Sequence, residues 1–469
     1  MKRPTFLLIL LFSALLWAWP LPADDTAPAQ EPLSTDFSVS VGGAQVPTYL
    51  ARVINMTIEE RQKHAGPPPI EQTALSSFAS FDVTGDTVVE VTCHDAVQRA
   101  KVLPVSAGIT PVVAGNVVTF HVSKPGQLVL EVNGQWLNSL QLFANPPERD
   151  VPSPNDPNVI YYGPGVHEVE TVDVGSGQTV YLAPGAVVYG KPTGKNPKNA
   201  IFQLKGSNIT LRGRGIIDAS LCPRDTRSPI YTFDCSNVRI EGLVVRDSGG
   251  FTMPVRRSDQ VKITNVKVFG WRGNSDGMDI CNSREVEISG CYLRTFDDLI
   301  VIKSDLGQGE CCDITARHCV LWNEIAHALS LGAELRDPVS NILFTDCDII
   351  HDKGREYLLR VYHCDAAQVR NVTFDNIRID EARRIMSVWI GKAVWSKQAE
   401  RGQVDNVVFQ NITSVASERT KDPLADLAGF DADHLVENVV FKNVVIAGKP
   451  LASTDVRQNE FVRNVVVAP

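Results

Sequence analysis

The densest set of chemically able side chains in this sequence is Asn274-Ser275-Asp276-Gly277-Met278-Asp279, followed 21 residues after Asp276 by Phe296-Asp297-Asp298. A lone Asp-Gly or Asp-Asp would mark a turn between strands, where aspartate bonds its own backbone. Two acidic turns set close to one structural repeat apart carry more. Neighbouring strands lie about 4.8 Å apart, so carboxylates stacked on successive layers gather into one patch. Like charges at that range resist joint ionisation and raise at least one pKa. Hydrolysis of a glycosidic bond uses that split, because a protonated carboxyl donates to the leaving oxygen while an ionised one activates water.

Further along come Ala326-His327-Ala328 and then Arg360-Val361-Tyr362. A histidine one layer beyond the aspartates can tune the acid through a hydrogen bond, and Arg360 can grip a sugar hydroxyl or an anionic substituent with its planar fork. Lys303, five residues after Asp298, points either toward the aspartates or to solvent. Asn274, Lys303, Arg360 and Tyr362 are therefore the candidate substrate contacts, and Asp276, Asp297, Asp298 and His327 the candidate catalytic groups. Trp271 and Trp322 are candidates for stacking on sugar faces. Arg256, Arg257 and Arg272 line an anion subsite or form a solvated rim. No metal or cofactor site is expected.

The elements that position these residues announce themselves by repetition. From about residue 200 a unit recurs, often Asn followed by a β-branched residue: Asn208-Ile209, Asn237-Val238, Gln260-Val261, Glu285-Val286, Asp313-Ile314, Asn341-Ile342, Asn371-Val372, Asn406-Val407, Asn438-Val439 and Asn464-Val465. Intervals of 23 to 35 residues with strand-like content mean a solenoid. Five places on stand Leu243, Val266, Cys291, Cys319, Cys347, Ile377, Ile412 and Val444, one column of interior side chains. Asn265, Asn376, Asn411 and Asn443 immediately before it suit tight turns. Leucine is not periodic and no 3.6-residue pattern intervenes, which excludes a leucine-rich solenoid. The expected fold is all-β: a right-handed parallel β-helix over 158–469, preceded by a small antiparallel β-sandwich over 36–146. Short alternating runs such as Thr87–Thr92 and Val117–Val122, separated by Gly and Pro, carry the sandwich. Pro147, Pro152, Pro154 and Pro157 mark a stiff linker.

Residues 1–23, with Lys2-Arg3 ahead of an apolar run from Phe6 to Trp17, read as a cleaved signal peptide, too short to span a bilayer. The protein is thus expected to be secreted, extracellular or periplasmic. Net charge is −9, and removing Lys2 and Arg3 makes it more negative, which argues against nucleic acid and anionic membrane as partners. Of ten cysteines, Cys291, Cys319 and Cys347 fall at equivalent places 28 residues apart and read as stacked thiols. Cys281, Cys311, Cys312 and Cys364 are the candidates for a disulfide.

At these motifs the sequence resembles the polygalacturonase-like glycoside hydrolases of family 28 and the related dextranases and isopullulanases of family 49. Those families carry Asn-x-Asp-Gly, Asp-Asp, Gly-His-Gly and Arg-x-Lys motifs in that order on a right-handed parallel β-helix. The resemblance covers about residues 158–469. It implies that Asp297 is the general acid, that Asp276 and Asp298 activate the water with inversion across widely separated carboxyls, that His327 assists near the acid, and that Arg360 binds sugar at the cleavage site. Two departures stand out. Gly-His-Gly is Ala326-His327-Ala328, whose methyls would narrow the pocket. The lysine that meets a galacturonate carboxylate is Tyr362, a neutral ring. A sandwich ahead of the helix is more like family 49, whose substrates are neutral glucans. Both a neutral and an acidic or sulfated glycan stay open on these residues. The substrate is a polysaccharide or oligosaccharide in either case.

Two other function classes use the same scaffold. A β-helix polysaccharide lyase or epimerase needs a basic proton abstractor and usually Ca²⁺, which the aspartates could ligate through oxygen. A non-catalytic carbohydrate-binding solenoid would leave the aspartates dispensable.

Overall fold

A computed structural model describes residues 27–57, 60, 68–192, 200–354, 356–415, 417 and 419–469. The expected signal peptide lies outside the described residues. Among them no helix is long and apolar enough to cross a membrane.

From Val159 onward, 31 strands form one continuous sheet wound as a right-handed parallel β-helix. Each central coil contributes three strands. Met278–Cys281, Arg284–Ser289 and Tyr292–Thr295 make one coil, and each stacks in parallel register on its counterpart in the next: Ile300–Ser304, Cys311–Arg317 and Val320–Asn323. The repeating Asn explains itself here. Asn208, Asn237, Asn341, Asn371, Asn406, Asn438 and Asn464 all have φ between 52° and 58°, a left-handed corner that Asn tolerates better than other side-chain-bearing residues. Their amides also bond coil to coil, as in Asn237 Nδ2 to Asn208 Oδ1 at 2.7 Å and Asn371 Nδ2 to Asn341 Oδ1 at 3.0 Å. The second Asn column, Asn265, Asn376, Asn411 and Asn443, turns the same way, with φ of 49–55°.

The interior is filled by stacked columns of like residues. Phe344, Phe374, Phe409 and Phe441 pile ring on ring at 5.1, 4.9 and 5.2 Å. Cys291, Cys319 and Cys347 occupy the expected buried column. All ten cysteines are free and buried, so the expected bridge among Cys281, Cys311, Cys312 and Cys364 is not formed.

Ahead of the helix lie two five-stranded sheets, packed face to face around Val39, Val89, Val91, Phe120, Leu130 and Leu142. One pairing in them is parallel: Gln135–Asn145 runs alongside Thr73–Asp82. Tyr49, Phe78 and Phe143 bury themselves against Phe269, Tyr292, Val320, Trp322 and Ile350 on the third strand of successive coils. The proline-rich segment is tied down, since Arg212 donates to the carbonyls of Arg149 and Asp150. The sandwich thus covers one face of the helix and leaves free the face built from Met278–Cys281, Ile300–Ser304, Leu329–Leu335 and Leu359–His363.

Candidate active site

The acidic motifs sit in the turns that lead onto that open face. Asp276 precedes Met278–Cys281, Asp297 and Asp298 precede Ile300–Ser304, and His327 precedes Leu329–Leu335. Backbone bonds stack these turns: Gly277 N–H donates to Asp298 O at 2.8 Å and Leu299 N–H to His327 O at 3.0 Å. A Cβ on Gly277 would lie 2.4 Å from Leu299 O, so the glycine beside Asp276 is what lets the coils close. The result is that carboxylate oxygens of Asp276, Asp297 and Asp298 all lie within 4.8 Å of one another. They line a cleft of about 450 Å³ together with Asn274, Lys303, His327, Arg360 and Tyr362, so all eight sequence-assigned residues share one site.

Burial and mutual repulsion separate the acids electrostatically. Burial, then the charge of Asp298, pushes Asp297 up to about 6. Asp298 is held below the usual carboxylate range: burial would raise it, but His327, Lys303 and Arg360 outweigh that. Asp276 is pushed well up by burial and by Asp279. Lys303 is buried and bonds both of these, at 3.0 Å to Asp276 Oδ2 and 2.8 Å to Asp279 Oδ1. Burial would strip its proton, but the two carboxylates hold it well above the ordinary lysine value. Lys303 is therefore a partner of the acids first, and it still lines the cleft beside them.

His327 is oriented from both sides. Its Nδ1 lies 2.5 Å from Asp298 Oδ1, and Arg360 Nη1 donates to its Nε2 at 2.9 Å. An Nε2 that accepts carries no proton, so the proton is on Nδ1 and is donated to Asp298. Arg360 also bonds Glu356 Oε2 at 3.1 Å and lies 3.8 Å from the Tyr362 ring centre. Asn274 has φ of 59° and donates to Asp225 Oδ1 at 2.9 Å, which places it on the rim of the cleft.

Several expectations change. Trp322 is fully buried beneath the sandwich, with the Arg294 guanidinium 3.7 Å from its ring centre. Trp271 packs with Ile54, Met56, Phe296 and Ile325. Neither lines the cleft. Ala328 is buried in the helix core and cannot narrow the pocket, and Ala326 and Ala328 both lack the positive φ that would need glycine. Arg272 donates to the carbonyls of Cys222 and Ser220, a structural role. One oxygen of each acid lies within 4.8 Å of one oxygen of the others, a closer grouping than the wide carboxyl separation the resemblance implies.

Residues missed from sequence are Asp279, Glu334, Glu356, Phe251 and Trp395. Asp279 had a signal, since alternation puts it on the same side of its strand as Cys281, whose register partner is Lys303. Trp395 comes from the long segment Gly391–Gln403, whose length marks it as a candidate for a loop at the cleft though nothing in it singles out the tryptophan. A hard cation could use the three acids as oxygen ligands, in competition with the Lys303 ammonium.

Residues 197–462 match the model of glycosyl hydrolases family 28. Polygalacturonase-2 of Solanum lycopersicum is 22% identical over 255 residues, covering 51% of this chain and 52% of that protein. An Aspergillus niger endopolygalacturonase A is 25% identical over 158 residues, 32% of this chain and 40% of the relative. The chain spans about half the length of such relatives or less. In fold, Dex49A from Penicillium minioluteum superposes with a TM-score of 0.68 over 92% of both chains at 13% identity. An exopolygalacturonase from Thermotoga maritima does so at 0.52, over 66% of this chain and 83% of its own, at 14% identity. Sandwich and helix together are thus an architecture shared with Dex49A, and the match across the helix makes this chain a member of glycosyl hydrolases family 28.

Proposed function

We propose that the protein is a secreted glycoside hydrolase that cuts a polysaccharide with inversion, Asp297 acting as general acid and Asp298 as principal base. What carries this reading is the pair of adjacent carboxyls in one cleft, one raised to about 6 and the other depressed. The raised carboxyl keeps a proton for the leaving oxygen, and the depressed one takes a proton from water. Asp276, drawn to Lys303, orients the water beside Asp298. A water with hydrogen bonds of about 2.8 Å on each side bridges oxygens up to about 5.6 Å apart, so acids within 4.8 Å hold one between them. The general spacing rule pulls the other way, because inverting carboxyls usually stand roughly 6.5–9.5 Å apart and retaining ones about 5 Å. Inversion here rests on the family resemblance, and the product anomer decides it. Residues 1–23 supply the export signal, which N-terminal sequencing of secreted protein checks.

The lyase alternative requires a deprotonated base, and Lys303 is locked as an ammonium by two aspartates. The test is product release from neutral, uronic and sulfated polysaccharides by wild type and Asp297→Asn, with NMR of the first product and a parallel run in chelator. A saturated, inverted product that disappears in the variant and persists in chelator supports the reading. An unsaturated product, a retained anomer, or activity indifferent to Asp297 overturns the corresponding part.

A further inference from the structure

Beside the catalytic cleft lies a second compartment of about 680 Å³, and Phe251 and Asn274 line both, so the two form one groove. Among the described residues, six cationic side chains line it, beside seven carboxyl groups. Five of the six cations stand against a carboxylate. Arg256 Nη1 is 2.7 Å from Asp305, Arg257 bonds both oxygens of Asp234 at 2.7 and 2.8 Å, and Arg224 lies 3.3 Å from Asp225. Lys303 is held between Asp276 and Asp279, and Arg360 bonds Glu356. The sixth, Arg227, is buried and gives its guanidinium to the carbonyls of Glu170, Lys191 and Ala200.

A neutralised pair presents a dipole where recognition of an anion needs a net field. A uronate entering this groove would find each cation engaged and would stand among Asp297, Asp298, Glu334 and Glu356. Those same carboxylates are good acceptors for sugar hydroxyls. Next to Arg360 the wall is aromatic: Tyr362 packs on Trp389 at 4.8 Å, and Trp395, half exposed, meets Tyr362 edge-on at 6.1 Å. Rings with a polar tip or edge suit the apolar face of a pyranose.

Resting on the hydrolase reading above, we infer that the substrate is an uncharged glycan, recognised by hydroxyl-to-carboxylate bonds and ring stacking, and that paired arginines keep uronic and sulfated chains out. The discriminating probes are polygalacturonate and its carboxyl-reduced galactan, which differ only at C6, carboxylate against hydroxymethyl, alongside neutral α- and β-glucans and a sulfated galactan. Expected is a kcat/KM at least ~10-fold higher on the best neutral polymer than on any charged one, with KM changing less than about twofold between 20 and 500 mM NaCl. Glu356→Gln leaves Arg360 unneutralised and is expected to shift the ratio several-fold toward the uronate. A charged polymer as best substrate, with KM climbing steeply in salt, overturns the inference, and so does a ratio unmoved by Glu356→Gln. If nothing is turned over, calorimetric binding of the same polymers to Asp297→Asn decides. Preference for a neutral chain supports the inference, and preference for a charged one, or binding to none of the neutral ones, overturns it. Failure of the hydrolase reading shows separately, as an unsaturated product or insensitivity to Asp297→Asn.

Discussion

Replacing Lys303 by Met keeps an unbranched side chain only one atom shorter and removes its charge, which isolates what that charge does. The ammonium bonds Asp276 and Asp279 at 3.0 and 2.8 Å, and all three side chains are nearly or fully buried. Removing one partner of a buried pair costs about 3–5 kcal/mol, because the orphaned charge remains out of water. Here two carboxylates are orphaned, but each escapes part of the penalty by taking up a proton. Asp276 and Asp279 are raised by burial even with Lys303 present, and without it they rise further. A carboxyl whose folded pKa exceeds its unfolded value binds more protons when folded, so stability falls as pH rises between the two values. Lys303 itself, raised well above its ordinary value, contributes fully across acidic and neutral pH and loses that contribution only in strong base. The deficit of Lys303→Met against wild type is therefore small near pH 4 and approaches 3–5 kcal/mol at about pH 7. Urea midpoints by tryptophan fluorescence at both pH values, with the slope checked for constancy, measure it. A deficit under about 1 kcal/mol at neutral pH, or one equal at both, would refute the argument that Lys303 holds the acids together.

Activity should carry an alkaline limb near pH 6, where Asp297 loses its proton, and Asp297→Asn should lower kcat by about 10²–10⁴ with little change in KM. A limb two pH units away, or a loss confined to KM, counts against the acid assignment. His351 sits between helix and sandwich, bonded to Glu381 at 3.1 Å and to Glu131. Burial would lower its pKa, yet the two carboxylates raise it. Its contribution is full below about pH 6.5 and is lost as pH rises through the folded value, so thermal stability should drop across that window and Glu131→Gln should flatten the drop. Met56, buried in the sandwich, packs with Phe296 and Ile325, the residues just ahead of Asp297 and of Ala326-His327. Met56→Ala should cost about 2–5 kcal/mol and lower kcat more than KM, and an unchanged kcat would show the sandwich to be a bystander.

What the sequence disclosed followed from periodicity. The Asn-β-branched unit reports a left-handed corner and an interior column, both repeated at every coil, so fold and coil boundaries were legible without any contact. Two acidic turns 21 residues apart became neighbours because the coil length nearly matches that offset. Pairings across elements left no such mark. Nothing local tells Lys303 from a substrate lysine until Cys281 and Lys303 are placed in register, which brings Asp279 within reach. Trp322 reads the same buried or exposed until the sandwich is laid over it. Of the two alanines, only the folded chain shows that the Ala328 methyl is buried in the core while Ala326 lines the cleft.

The chemistry of the site follows from a shortage of positive charge that the fold enforces. Backbone bonds between stacked turns hold Asp276, Asp297 and Asp298 together whatever their charge, because Gly277 to Asp298 and Leu299 to His327 belong to the coil ladder. In an open loop the acids would swing apart and ionise. Here Lys303 lies among four buried or nearly buried carboxyls, counting Asp279, and one ammonium cannot neutralise them all. Retaining protons relieves the excess, and Asp297 is a member that retains one near pH 6. The same shortage sets the character of the groove. With the surrounding arginines already paired, one more anion adds to the excess, whereas hydroxyls are welcome at every acceptor. On the proposed reading, catalytic acidity and rejection of charged chains have one origin, and Lys303→Met tests both: it should deepen the bias against uronate while it raises the alkaline limb above pH 6.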